Sequence, residues 1–323
     1  MFFDVFNGDA DGICALHQLR LAEPLESVLV TGVKRDIALL DGVSAGAGDR
    51  VTVLDVALGK NRQGLDRVLA AGAEVLYFDH HNPGEVPQHP RLTAFIDTSA
   101  ETCTSLLVNR YLQGRHLIWA VAAAFGDNLH EAARRAAAPL GLLADQLDQL
   151  RELGECLNYN AYGESVEDLF FHPAELYRLL HRHADPFAFI REEPAFRTLQ
   201  AGYAEDMERA TATSPQFEQA AGAIYVLPDM PWSRRVSGVF GNHLASAAPQ
   251  RAHAVLTRHS GGGFVVSVRA PLATKTGADE LCRQFDTGGG RKGAAGINNL
   301  PEDQLERFVA LFDATFGTSS TKA

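Results

Sequence analysis

Short runs of apolar, β-favouring residues alternate with stretches of helical periodicity along the N-terminal third of the chain. Phe2–Phe6, Ser27–Thr31, Val51–Leu54, Val75–Phe78 and Ala94–Ile96 read as strands, with Gly12–Ala22, Gly59–Ala71 and Thr102–Gln113 as the helices between them. Strands that are apolar at nearly every position must be covered on both faces, and helical crossovers make neighbouring strands parallel. The pattern therefore predicts an α/β fold whose N-terminal domain is a parallel sheet with helices on both faces. In such sheets the ligand crevice lies beyond the carboxyl ends of the strands, so chemistry is to be sought there.

From Leu117 to about Glu208 strand signals fade. A leucine stripe at 140, 143, 147, 150, 153 and 157 marks an amphipathic helix with a core-facing side. Thr211–Gly222 is small and polar, contains Pro215, and reads as a linker. Beyond it, strands are predicted at Ala223–Leu227, Ala252–Thr257 and Phe264–Ser267, and helices at Ser233–Ser246, Gly277–Phe285 and Pro301–Phe316. The expected division is a catalytic domain with a helical connector over 1–208, a linker over 209–222, and a smaller α/β domain over 223–323. A length of 323 residues suits two domains better than one.

Lys and Arg number 29 against 40 Asp and Glu, a formal charge of −11, which argues against a protein that coats long duplex nucleic acid. A phosphate substrate would then be short and held by a few placed cations. No apolar run approaches the length of a membrane span, and the N-terminus meets Asp4 at once without a basic flank, so a cytoplasmic protein is expected. Cys14, Cys103, Cys156 and Cys282 are scattered without metal-type spacing and read as small buried hydrophobes.

Acidic residues and histidines cluster where predicted elements end. Asn7-Gly8-Asp9-Ala10-Asp11-Gly12 follows the first strand, Asp55 the third, Asp79-His80-His81-Asn82 the fourth, and Asp127 the apolar helix beginning at Leu117. Each piece alone also suits a turn or a helix cap. Together on one sheet edge they make a donor set of carboxylates and imidazoles suited to divalent ions such as manganese, iron or zinc. Asp9 and Asp11 alternate on one loop and could reach two neighbouring ions, with Asp55 placed between them.

These residues resemble the motifs of the DHH phosphoesterase superfamily, named for the tripeptide at 79–81, over nearly the whole chain. The loop from Asn7 to Gly12 is similar to the first motif of the single-strand exonuclease branch, and the compact layout is closer to the nano-RNase or oligoribonuclease members. The resemblance implies two divalent ions, manganese favoured and magnesium or cobalt as substitutes. One would lie on Asp9 and Asp55, completed by Asn7, where the family usually carries a His or Asp. The other would lie on Asp11, Asp55, His80 and Asp127. Asp79, Asp55 and His81 would be the catalytic group, with Asp79 orienting the histidines and a metal-bridging hydroxide attacking phosphorus.

The tract Gly288-Gly289-Gly290-Arg291-Lys292-Gly293 could cradle an anion or simply form a flexible glycine loop. It resembles the glycine motif of the companion DHHA1 domain, with Arg291 in place of the usual His. Ser267 and Arg269 likewise resemble that domain's substrate-binding strand. The implied substrate-binding set is Ser267, Arg269, Gly288, Gly289, Gly290, Arg291 and Lys292. Thr102-Cys103-Thr104-Ser105 reads first as a helix cap and secondarily as a phosphate contact. His172, His181 and His183 read as surface or packing residues, and Trp232 with Arg234 and Arg235 as a nucleotide clamp or a packing group.

The expectation is a metal-dependent hydrolase of short oligonucleotides or small phosphorylated nucleotides, without membrane or long-duplex partners and compatible with a homo-oligomer. Two alternatives stay open: an inorganic pyrophosphatase or polyphosphatase, and a nucleotide sensor without turnover.

Overall fold

The computed structural model describes residues 1–317, which form two compact units divided at Ala201/Gly202. The first unit runs β1 (Phe2–Phe6), α1 (Ala10–Ala22), β2 (Val28–Val30), β3 (Arg50–Leu54), α2 (Arg62–Ala70), β4 (Glu74–Asp79), β5 (Leu92–Ile96) and α3 (Thr104–Tyr111). It continues with α4 (Leu117–Gly126), α5 (His130–Ala137), α6 (Ala144–Asn160), α7 (Pro173–Leu180), α8 (Pro186–Glu192) and α9 (Pro194–Thr211), the last crossing into the second unit.

The five strands pair in the order β2-β1-β3-β4-β5, all parallel. Phe3, Val5, Val51, Val53, Val75 and Tyr77 pack into one hydrophobic cluster with Leu65, Val68 and Leu69 of α2. Phe6, Leu54 and Phe78 join a second, larger cluster with α1, α3, α4 and α6. Both faces are thus buried, as continuously apolar strands require. Chain order reverses at β1/β3, where the connections leave in opposite directions. That switch point opens a crevice at the carboxyl edge, between the residues following β1 and those following β3.

The α1 helix is buried from Ala10 through Arg20. Behind it, α4 crosses α6 at close range. A Cβ on Gly154 would lie 2.0 Å from the Ala122 carbonyl oxygen and 2.7 Å from the Gly126 amide nitrogen. Replacing Gly154 with Ala must therefore push α4 away, and with it Asp127 at the end of that helix. Urea denaturation is expected to show a loss of roughly 2–3 kcal/mol, the range of overpacked interiors.

The second unit holds β6 (Phe217–Gln219), β7 (Gly222–Leu227), α10 (Pro231–Ala247), β8 (Ala252–Arg258), β9 (Phe264–Arg269), α11 (Ala278–Cys282), β10 (Gly288–Arg291), β11 (Ala294–Leu300) and α12 (Leu305–Phe316). Its sheet order is β10-β11-β9-β8-β7-β6, antiparallel except for β7 with β8. The segment expected to be a linker divides differently. Residues up to Thr211 complete α9, and Phe217–Gln219 pairs with β7 as an edge strand.

The glycine tract is likewise a strand rather than a loop. Gly288–Arg291 pairs antiparallel with β11, and glycine permits the close backbone approach there. A Cβ on Gly288 would stand 1.7 Å from the Cys282 carbonyl oxygen, and Gly290, at φ +138°, would meet Ala295 at 2.5 Å. All four cysteines are buried and unpaired. No helix among the described residues is long and apolar enough to cross a membrane.

Candidate metal centre

The crevice at the β1/β3 switch point collects the acids and histidines from several elements. Asp9 is the N-cap of α1, and its Oδ1 accepts from the amides of Asp11 at 3.0 Å and Gly12 at 3.1 Å. A carboxylate there satisfies amides that the first helical turn leaves unpaired. Asp11 does the same for a different helix: its carboxylate accepts from Thr104 N–H at 2.6 Å and Ser105 N–H at 2.7 Å, at the start of α3. The amides considered above as a phosphate contact are therefore engaged by Asp11.

Asp55 follows β3 with a left-handed φ of +58°, and its Oδ1 accepts from Thr104 Oγ1 at 3.2 Å. Strained non-glycine backbone of this kind persists only where surrounding structure holds it, and it concentrates at functional sites. His80 and His81 follow β4. His80 donates Nδ1–H to the Thr102 carbonyl at 3.0 Å, which fixes the tautomer and leaves Nε2 as its ligating atom. That Nε2 lies 3.4 Å from Asp55 Oδ1 and 3.8 Å from Asp127 Oδ2. Asp79 is fully buried beneath the histidines and accepts from His81 Nδ1–H at 2.7 Å and from the His80 amide at 2.9 Å. Asp127, at the C-cap of α4, completes the ring.

Asp9, Asp11 and Asp55 are each at most 2% exposed. Burial raises the Asp55 carboxyl well above its usual range, and Asp9 and Asp11 push it further. Burial likewise raises Asp127, against the pull of Lys34. Burial would lower the His80 imidazole, but Asp55, Asp11 and Asp127 outweigh it and hold it at about 10. Such a concentration of buried negative charge is costly unless a cation is present. Two triads of donors converge to within 4.8 Å among the described residues, Asp55-His80-His81 and Asp11-His80-Asp127. Mixed oxygen and imidazole donors suit a divalent transition ion, so the residues fit such a group.

One participant carried no sequence signal. Lys34, in the loop after β2, pairs with Asp9, donates to Asn158 Oδ1 at 3.1 Å and lies 3.7 Å from Asp127 Oδ1. Burial would favour its neutral amine, but Asp9, Tyr162, Asp127 and Asp55 hold its pKa well above the usual lysine range. The same ammonium keeps Asp9 below the carboxylate range although burial alone would raise it. Asn7 turns to the backbone: its Oδ1 accepts from Asp9 N–H at 3.3 Å, and its Nδ2 donates to the Lys34 carbonyl at 3.4 Å.

Four of the seven C-terminal candidates share one sheet face within the second unit. Arg269, Ala294 and Arg291 are in register across three strands, and so are Ser267, Gly296 and Gly289. Residues two apart on a strand lie on one side, so Ser267, Arg269, Gly289 and Arg291 share a face. Arg269 donates to Ser267 Oγ at 2.9 Å and Asn242 Oδ1 at 2.6 Å. Lys292 is exposed in the following turn.

No family model and no curated protein matches the sequence. The solved structures do match. An exonuclease RecJ bound to manganese aligns with a TM-score of 0.62 at 16% identity, covering 98% of this chain and 90% of that one. RecJ of Thermus thermophilus in complex with Mn2+ aligns at 0.60 and 17% identity, and the alignment takes in 98% of this chain and 52% of that one. A pGpG-specific phosphodiesterase, PggH of Vibrio cholerae, aligns at 0.54 and 15% identity over 98% of this chain and all of that one. The chain shares the fold of these structures. Within that fold, Asn7, Asp9, Asp11, Asp55, Asp79, His80 and His81 lie at the carboxyl ends of β1, β3 and β4, and Asp127 reaches them from the end of α4.

Proposed function

We propose that the chain is a metal-dependent phosphoesterase that hydrolyses short oligonucleotides or small phosphorylated nucleotides. One observation carries the reading: three carboxylates, Asp11, Asp55 and Asp127, meet His80 at a sheet edge where Asp55 is held in strained backbone, with Asp9 beside them on the same loop as Asp11. The RecJ structures hold Mn2+, and PggH is named for cleaving pGpG, which supports a divalent ion, manganese first, and a short nucleotide substrate.

An ion bound by Asp11, Asp55, His80 and Asp127 would polarise a phosphoryl oxygen and lower the pKa of water. The chain's own groups prepare for it. Thr102 holds the proton of His80 on Nδ1, which keeps Nε2 available as a donor. Asp79 holds the proton of His81 on Nδ1 in the same way, so that the half-exposed ring offers its Nε2 to a substrate oxygen. Arg269 and Arg291, on one face with Ser267 and Gly289, are proposed to bind a phosphate, with Lys292 in the following turn and Gly288 and Gly290 shaping the strand that carries Arg291. Unpaired thiols and a −11 charge agree with a cytoplasmic enzyme for small anions rather than a coat for long nucleic acid.

The test is release of mononucleotides from labelled two- to five-nucleotide RNA, with Mn2+ and again with excess chelator. Turnover with the ion and none with chelator is expected. Hydrolysis of pyrophosphate alone would support the pyrophosphatase reading instead. Tight nucleotide binding without any turnover would support the sensor.

A further inference from the structure

We propose that Lys34 is a built-in cation of this centre, standing where a second divalent ion would bind, so that the chain works with a single metal ion. The inference rests on the metal-dependent reading above and specifies its ion count.

The charge of Asp9 is already answered by a cation, which sets it apart from Asp11, whose carboxylate accepts from neutral amides. Asp9 Oδ1 accepts from two amides, Asp11 and Gly12, and its Oδ2 is paired with the Lys34 ammonium. Asn7, which would have to complete a site on Asp9, has both ends of its amide bonded to the backbone, one of them to Lys34 itself. Neither converging donor triad includes Asp9 or Asn7. Both triads use His80, whose Nδ1 is committed to Thr102, so one ring nitrogen serves both. They therefore describe adjoining positions around one ion.

The ammonium is seated rather than passing. The Lys34 amide donates to the Ala161 carbonyl at 2.9 Å, its Nζ donates to Asn158 Oδ1 at 3.1 Å, and the Tyr162 ring lies 5.7 Å from it. The end of α6 and the turn after it thus fix the side chain against Asp9. A divalent ion on Asp9 and Asp55 would sit beside this fixed positive charge in a buried site, where like charges repel strongly. The ammonium can perform the second ion's electrostatic task, since a fixed cation near a phosphoryl oxygen stabilises the charge that develops there.

The experiment is the manganese content of the full chain after equilibration with Mn2+ and removal of excess, together with its electron paramagnetic resonance spectrum. The expected result is one ion per chain with the hyperfine pattern of an isolated ion. In Lys34→Gln, or in Lys34→Met if the first variant folds poorly, the count is expected to rise towards two and the spectrum to show an exchange-coupled pair. Lys34→Arg, which keeps the charge, should hold the count at one. Two coupled ions in the native chain, or one ion in a folded Lys34→Gln, would overturn the role given to Lys34 and leave the metal-dependent reading standing. No bound ion in the native chain would overturn that reading itself.

Discussion

Asp55→Asn is expected to cut metal-dependent hydrolysis about a thousandfold while raising the melting temperature of the metal-free protein. The loss follows from exchanging a charged oxygen for a neutral amide at a carboxylate 3.4 Å from His80 Nε2. Several kcal/mol of electrostatic stabilisation in the transition state correspond to a rate factor of that order. The gain in stability has the same origin. The Asp55 carboxyl is pushed above its ordinary range by burial and by Asp9 and Asp11, so ionising it in the empty centre is unfavourable. With the folded value raised above the unfolded one, the stabilisation is fully present below about pH 4, the ordinary aspartate value. It is lost as pH rises through the folded value. Asn cannot ionise and tolerates the left-handed backbone at φ +58°. Thermal melts in chelator should therefore show the variant gaining on the native chain by a few degrees, and by more at pH 8 than at pH 5. A variant less stable at both pH values would contradict this electrostatic picture of the empty crevice.

The second large effect is structural. Asp4 lies in the middle of β1 on the face covered by α1, fully buried, and accepts from Arg20 Nε at 2.8 Å and from Ser27 Oγ at 2.6 Å. Arg20 is itself only 5% exposed and reaches Thr52 Oγ1 at 3.2 Å. Asp4→Ala leaves that guanidinium buried without its counter-charge, and should cost about 3–5 kcal/mol in urea denaturation. Replacing both partners, Asp4→Leu with Arg20→Met, should recover most of the loss, because an apolar pair needs no compensation. At temperatures where the single variant stays folded, its catalytic constants should be unchanged. A cost below about 1 kcal/mol would mean that the pair is solvated rather than buried.

The pair was invisible to patterning because Asp4 interrupts an apolar strand and Arg20 a helical stripe, and nothing in linear spacing joins them. Elsewhere the sequence was legible where one physical rule governed. Phe2–Phe6 and Val51–Leu54 are apolar at nearly every position because both sheet faces are covered, and the structure places β1 and β3 there. Asp9, Asp11, Asp55 and His80 stood out because polar residues immediately after such strands must lie at the carboxyl edge. Lys34 could not be found this way. It sits in an irregular loop, and only the packing of that loop on the end of α6 brings its ammonium to Asp9. The hairpin of β10 and β11 escaped because Gly288, Gly289, Gly290 and Gly296 lack β-favouring side chains. At Gly288, Gly290 and Gly296 the neighbouring backbone leaves no room for a Cβ, which suits glycine to a strand there. The supposed linker failed for a related reason: small polar residues around Phe217 suit an exposed edge strand as well as a loop.

Anomalous scattering at the manganese edge, from crystals grown with Mn2+, tests most directly whether the sheet edge holds the catalytic ion. A strong peak within bonding distance of Asp11, Asp55, His80 Nε2 and Asp127 is the predicted result. A well-ordered crevice with no peak, or manganese bound only elsewhere on the chain, would contradict it.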